Sequence, residues 1–254
     1  MNTAPRIITD NETFFASYDQ LQAGDIIAVR LRLKAGEEHL LLDLAQRGIH
    51  LIPSATAQLA SRSKAYQARI FSQYMVPGTT VVYDANQLLT TIPRYNELGF
   101  GKVVLKQDRK NAGLGIHLFN TIEEVFNLTL SNSLPYPFVL QPYLAGSRDI
   151  RAIFLGDHLE SYERDNPNNF RNNLHCGGLS TPHTLSPEQE LFCRSIMVRG
   201  NFPYAHIDLI IDQHNNHWLS EINLRGGLRG AQIKGAAYQK MIGTLHLRLI
   251  ADTR

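Results

Sequence analysis

The chain has 254 residues, 43% of them hydrophobic and 19% charged, with 25 Lys and Arg against 23 Asp and Glu. This composition supplies a real apolar core and excludes a disordered chain, a collagen-like fibre and a disulfide scaffold. A formal charge of +2 is too near neutral to argue for nucleic acid or membrane partners, and the length suits one large or two small domains.

No apolar run approaches the ~18 residues of a spanning helix. The opening MNTAPRIITDNETFF lacks the basic and then apolar stretches of a secretory signal. Cys176 and Cys193 fit no zinc spacing, so a reduced, cytoplasmic setting is expected.

In chain order, residues 25–31 (DIIAVRL) read as a buried strand, with no strand expected before them. Leu40, Leu41, Leu44 and Ala45 fall at helical spacing over residues 37–47, and Gly48 ends that helix. A strand over 49–52 and one helix over 55–74, ending near Pro77-Gly78, complete a small opening unit. After Pro93, residues 102–106 (KVVLK) and 115–119 (GIHLF) read as strands flanking a polar loop with glycines. Thr121 begins a helix, and Glu124 completes a capping box. Residues 138–141 and 150–155 are strands. Ser186-Pro187 with Gln189 opens another helix, closed by Gly200. Strands follow over 204–211 and 217–223, and the chain is helical from about residue 230. The strand pairs from residue 102 onward look like hairpins, which argues for α+β architecture.

The sharpest chemical pattern is YAHIDLIIDQHNNHWLSEINLR (204–225), where DQHNN separates two strand patterns. Glu221 and Asn223 share one strand face. A hairpin symmetric about residues 214 and 215 sets Asp208 opposite Glu221. Facing like charges destabilise a ladder unless neutralised. Two carboxylates and an amide oxygen suit Mg²⁺. A sheet face whose acids meet water or arginine fits the pattern equally well.

Between the strands ending at Lys106 and beginning at Gly115 lies QDRKNAGL, which either cradles phosphate through backbone N–H groups or is a plain turn. No Gly-Lys-Ser/Thr occurs anywhere, and a strand rather than a helix follows the glycines. A Walker loop and a dinucleotide fingerprint are both excluded on that basis. Residues 147–178 carry Arg148, Asp149, Arg151, Arg164, Arg171 and Asn173 in a segment too polar for core. They offer phosphoryl-transfer clamps or, alternatively, a surface loop with capping asparagines.

Together these pieces resemble an ATP-grasp ligase, and most closely the RimK-like α-L-glutamate ligases. The resemblance rests on Lys64, VVLK ending at Lys106, NAGLG, FVLQPYL (138–144), RDIR (148–151), ER (163–164), FRNNLHCGG (170–178), HIDLI (206–210) and SEIN (220–223). It implies two α+β subdomains sandwiching ATP, over 79–137 and 138–254, preceded by a truncated αβ domain over 1–78. It implies that Lys64, Lys106, Asn111, Gly113, Gly115, Gln141, Tyr143, Leu144, Asp149, Arg171 and Asn173 bind ATP. Asp208, Glu221 and Asn223 would hold Mg²⁺, expected as two ions with Mn²⁺ as a substitute.

The implied reaction is ATP-driven ligation of a carboxylate to an amine through an acylphosphate, adding a glutamate-like amino acid to a small molecule or peptide. Arg151 and Arg164 would stabilise the transferring phosphoryl group. A non-catalytic ATP- or partner-binding module and an ATP-grasp kinase are the alternatives. No nucleic acid or membrane partner is expected, while a homo-oligomer is compatible with the sequence.

The sequence departs from the family pattern in a short opening unit without its first strand, and in Arg109-Lys110-Asn111-Ala112 within the glycine loop. It departs again in the hinge, Gln141-Pro142, and after the metal ligands, where Leu-Arg-Gly-Gly-Leu-Arg (224–229) replaces the usual Ser-Pro-Gly. Arg225 and Arg229, with Arg30, are therefore expected to bind an anionic substrate, since guanidinium forks suit carboxylates.

Overall fold

A computed structural model describes residues 4–110, 113–131 and 133–253. Three sheets organise these residues, in the strand orders β1-β2-β3, β4-β7-β5-β6 and β10-β9-β8-β11-β12. The opening unit pairs β1 (Ile7–Ile8), β2 (Ile26–Ile27) and β3 (His50–Leu51) in parallel. Helices α1 (Asn11–Ser17) and α2 (His39–Gln46) connect them around Phe14, Ile27, Leu41 and Leu44. A strand does precede residue 25, contrary to expectation. Two residues are too few to show a pattern, and β2 is equally short, so most of 25–31 is loop.

The single helix expected over 55–74 is two: α3 (Ala55–Ala60) and α4 (Lys64–Ile70), followed by a 3-10 turn at Ser72–Tyr74. The break is built by side chains. The Ser63 hydroxyl accepts from Tyr66 N (3.0 Å), and Gln67 Nε2 donates to the Ala60 carbonyl (2.7 Å). Apolar spacing runs through the break because both helices bury the same side.

The central sheet is antiparallel, formed by β4 (Thr80–Val82), β5 (Val103–Gln107), β6 (Ile116–Phe119) and β7 (Phe138–Pro142). The strand over 138–142, placed by the sequence at the start of the C-terminal half, pairs here with β4 and β5. Against this sheet pack α5 (Ala85–Glu97) and α6 (Ile122–Leu130). Helix α5 contains Pro93, which reads as a breaker in sequence. Its ring frees the Leu89 carbonyl four residues back, and Leu89 is half exposed, so that helix side meets water. At α6, Thr121 caps as expected, but the Glu124 carboxylate accepts from Asn120 N (2.9 Å).

The largest sheet is antiparallel and holds the main core, with β8 (Arg148–Leu155) between β9 (His158–Asp165) and β11 (Tyr204–Ile211). Its edges are β10 (Leu179–His183) and β12 (His217–Asn223). Helix α7 (Pro187–Gly200) opens on the expected reciprocal Ser186–Gln189 box, but Asn201 at φ 51° terminates it. Gly200 is required for packing instead, because a Cβ there would sit 2.6 Å from the Phe71 ring. Helix α8 (Gly235–Thr253) closes the chain and buries Tyr238 and Ile250.

Candidate active site

The site begins with the register of β11 and β12. From the turn, Ile211 faces His217, Ile210 faces Trp218 and Leu209 faces Leu219. The ladder then skips Ser220 and resumes with Asp208 opposite Glu221. Without that bulge the pairing would bring Ser220 opposite Asp208. The extra residue puts the two acids face to face, a common use of bulges beside functional sites.

Asp208 is 7% exposed and is not left to repel Glu221. Arg151, opposite it on β8, donates Nε and Nη2 to its two oxygens, each at 2.7 Å. Arg164 of β9 adds Nη2 at 2.9 Å and also donates Nε to Asp149 Oδ1 at 2.9 Å. Burial opposes the charge on Asp208, yet Arg151 and Arg164 outweigh it and hold the carboxyl well below the usual range. Burial pushes Asp149 up, helped by the charge of Asp208 and opposed by Arg164. Glu221 meets Lys64 Nζ at 3.1 Å. Both acids of the hairpin thus meet cations, Asp208 two arginines and Glu221 a lysine, on a face that buries Asp208.

The same donors still fit a hard cation. Asp208, Glu221 and Asn223 offer oxygens from one patch, because His206 faces Asn223 two pairs along from Asp208–Glu221, on the same sheet face. A carboxylate has about four acceptor positions, and the guanidinium bonds use three on Asp208. So few protein oxygens match Mg²⁺, which keeps waters and takes phosphate oxygens. No group of three His, Cys, Asp or Glu with metal-ligand spacing occurs among the described residues.

A cavity of about 670 Å³ opens over this cluster, between the central and largest sheets. Lys64, Lys106, Gly113, Gln141, Tyr143, Leu144, Asp149, Arg151, Arg164, Arg171, Asn173, Asp208, Glu221 and Asn223 all line it, as do Arg30, Arg225 and Arg229. Gly115 does not line the cavity; a Cβ there would meet Lys110 Cβ at 2.6 Å, so it serves the loop's own packing. Asn111 lies outside the described residues.

On the central-sheet side, Lys106 reaches across to Ser220, with Nζ 3.2 Å from both its carbonyl and its hydroxyl. Burial pushes this ammonium down to about 8, with the charge of Lys64 adding to the effect. Lys64 Nζ also donates to the Lys110 carbonyl (2.5 Å), and Arg171 Nε donates to the Ile116 carbonyl (3.0 Å). Gly113 has φ +78°, and a Cβ there would fall 2.3 Å from Asn173 Nδ2. The glycine therefore lets the loop lie directly on the segment facing it.

Another part of the lining is basic, with Arg30, Arg225 and Arg229. No hydrogen bond or ion pair holds the side chains of Arg30 or Arg225 among the described residues, whereas Arg229 donates Nη1 to the Leu174 carbonyl (2.7 Å). Burial pushes Arg30 below its ordinary value, and the nearby charge of Arg225 pushes the same way. Behind them His206 Nε2 lies 3.0 Å from the Tyr238 hydroxyl; burial, with Arg151 nearby, pushes His206 down to about 4.

Two contributors were not legible as site residues. Ser220 is the bulge residue that receives Lys106. Asp108 accepts from Ala65 N and Ser63 Oγ, both at 3.0 Å, and so braces the start of α4 that carries Lys64. Arg148, singled out in the sequence, lines the cavity while paired with Glu163 (2.8 Å). The only sequence signal for Asp108 is its place two residues beyond Lys106.

This combination of a nucleotide-sized cavity between two antiparallel sheets, lysines from one side and facing acids from the other defines an ATP-grasp enzyme. A family model described as the RimK-like ATP-grasp domain matches residues 58–245, and the chain belongs to that family of ligases. A relative named probable alpha-L-glutamate ligase 1, from Shewanella amazonensis, is 28% identical over 218 residues, covering 81% of this chain and 69% of the relative. Across several curated relatives the chain spans between 65% and 69% of their length. Among solved structures, D-alanine–D-alanine ligase from Bacillus anthracis complexed with ATP superposes with a TM-score of 0.65 at 16% identity, covering 96% of this chain and 86% of that one. The ATP-grasp ligase PsnB, complexed with minimal precursor, Mg and ADP, gives 0.57 at 18% identity, covering 85% and 66%. No helix among the described residues is long and apolar enough to cross a membrane.

Proposed function

We propose that this chain is an ATP- and Mg²⁺-dependent carboxylate–amine ligase whose substrate is anionic, an acidic amino acid or peptide. The observation that carries the reading is the charge of the cavity: ten lysines and arginines line it against three carboxylates. An ATP tetra-anion uses part of that surplus. Arg30 and Arg225 still lack counter-charges among the described residues.

In this reading a substrate carboxylate oxygen attacks the γ-phosphorus, the bond to the β–γ bridging oxygen breaks, and ADP leaves. An amine then attacks the acyl carbon, and phosphate departs with the C–O bond as the amine loses its proton. Lys64 and Lys106 hold the phosphates, and the loop at Gly113 covers them. Gln141, Tyr143 and Leu144 border the base, while Arg171 and Asn173 meet the phosphate end. Asp149 anchors Arg164 at the nucleotide's edge of the cavity. Arg151 and Arg164 are fixed by Asp208 and Asp149, so their charge is pre-aimed and needs no reorganisation. Asp208, Glu221 and Asn223 would hold two Mg²⁺ ions, or Mn²⁺ in their place. When bound, these would neutralise phosphate charge as Lewis acids. Arg225, Arg229 and Arg30 orient the anionic substrate.

The test is ADP and phosphate release with ATP, Mg²⁺ and a panel of acidic amino acids and peptides paired with amine acceptors. Release that requires both partners, and is lost in Glu221→Ala, supports the reading. Release with no partner dependence, or none with any pair, contradicts it.

A further inference from the structure

The loop joining β2 to α2 touches both ends of the site. Its residue 30 lines the cavity, while Glu38 reaches the glycine loop and forms an ion pair with Arg109. The stretch between them is pinned almost residue by residue. Asn11 holds both sides of it: Nδ2 donates to the Arg30 carbonyl (3.3 Å), and Oδ1 accepts from Arg32 N (2.6 Å). Leu31 N donates to Gln58 Oε1 (2.9 Å), and the Leu31 carbonyl accepts from Arg62. Lys34 N donates to Glu37 Oε2 (2.7 Å), and Gly36 N donates to Glu38 Oε2 (2.9 Å). A loop so held moves as a strut.

At its far end Glu38 is only 13% exposed in its side chain, and its second oxygen meets Arg109. Arg109 sits at φ 58°, a left-handed conformation unusual outside glycine, between Asp108 and Lys110. Asp108 braces α4, and the Lys110 carbonyl receives Lys64. The ion pair therefore ties the stem of the nucleotide loop to the opening unit.

We propose that Glu38 is a positioning residue for nucleotide binding: through Arg109 it sets the glycine loop, and residues 30–38 couple that loop to the anion-binding wall at Arg30. The proposal rests on the ATP reading for its ligand. It makes the opening unit part of the support of the nucleotide site as well as of the substrate wall.

The experiment measures the affinity of the full chain for a non-hydrolysable ATP analogue with Mg²⁺ by calorimetry, together with the rate of thermolysin cleavage at Leu114, which is 80% exposed at the loop tip. Glu38→Gln and Arg109→Gln are each expected to weaken the analogue about 5-fold, the size of a well-placed, partly exposed ion pair. Both are expected to speed cleavage while leaving Tm unchanged. The double variant Glu38→Gln with Arg109→Gln should weaken the analogue no more than Arg109→Gln alone, because the two side chains act through one contact. Unchanged affinity and cleavage in the single variants overturn the proposal, as do additive losses in the double variant. If the unaltered chain binds no analogue, the ATP reading fails, and cleavage alone still decides whether Glu38 sets the loop.

Discussion

Two charged regions border one cavity and are built in opposite ways. In the patch on β8, β9 and β11, Arg151, Arg164, Asp149 and Asp208 form a closed set of ion pairs, buried at Arg164 and Asp208 and held by the strand register. Elsewhere on the lining, Arg30 and Arg225 are of like charge, the charge of Arg225 adds to burial in lowering Arg30, and no ion pair holds either among the described residues. The first region is closed on itself, its charges already paired without a ligand to order them. The second holds cations with no partner among the described residues, which in the proposed function await an anion. A fold tolerates unpaired cations where water reaches them, so their cost is small and their information about ligands is large.

The comparison breaks most severely at Asp208. Asp208→Ala leaves two buried guanidiniums facing each other, and a loss of about 3–5 kcal/mol in unfolding free energy is expected, measured by urea denaturation. Lys106→Met is next in size. Losing a charged phosphate contact should weaken the ATP analogue by about 10- to 100-fold with little loss of stability, read by calorimetry. Arg225→Gln should raise KM for the anionic substrate by about 10-fold while ATP affinity and Tm hold, because nothing in the protein depends on that guanidinium.

The smallest effect is a proton. Free Lys106 is lowered to about 8 by burial and Lys64. Phosphate raises it again, so nucleotide binding above pH 8 should take up protons. Calorimetry in buffers of differing ionisation enthalpy measures this uptake. It should fade below pH 7, where Lys106 is already charged, and vanish in Lys106→Met.

Much of this site was legible because its chemistry is carried by short strands with a period of two. Asp208, Glu221 and Asn223 could be put on one patch from spacing alone. The predicted pairing of Asp208 with Glu221 is the one observed, although it is reached through a bulge at Ser220 that spacing does not reveal. Strand β9 escaped because its cavity-side residues, Tyr162 and Arg164, are buried by ion pairing and packing, so HLESYERD shows no apolar alternation. Helix α5 escaped because Pro93 reads as a breaker, although the Leu89 carbonyl it frees lies on a water-facing side of the helix. Strand β1 was too short to leave a pattern. The basic wall was read from Arg30, Arg225 and Arg229, but the acids that might have neutralised them are a matter of three-dimensional placement. Only the structure shows that Arg30 and Arg225 go without one.

Oxygen transfer tests the central claim most directly. With the carboxylate substrate labelled with oxygen-18, ATP and the amine partner, the account predicts that released phosphate carries one labelled oxygen and that ADP forms in equal amount. Phosphate without label would mean that water, not a carboxylate, receives the phosphoryl group, and label retained in a phosphorylated product would mean that no amide is made.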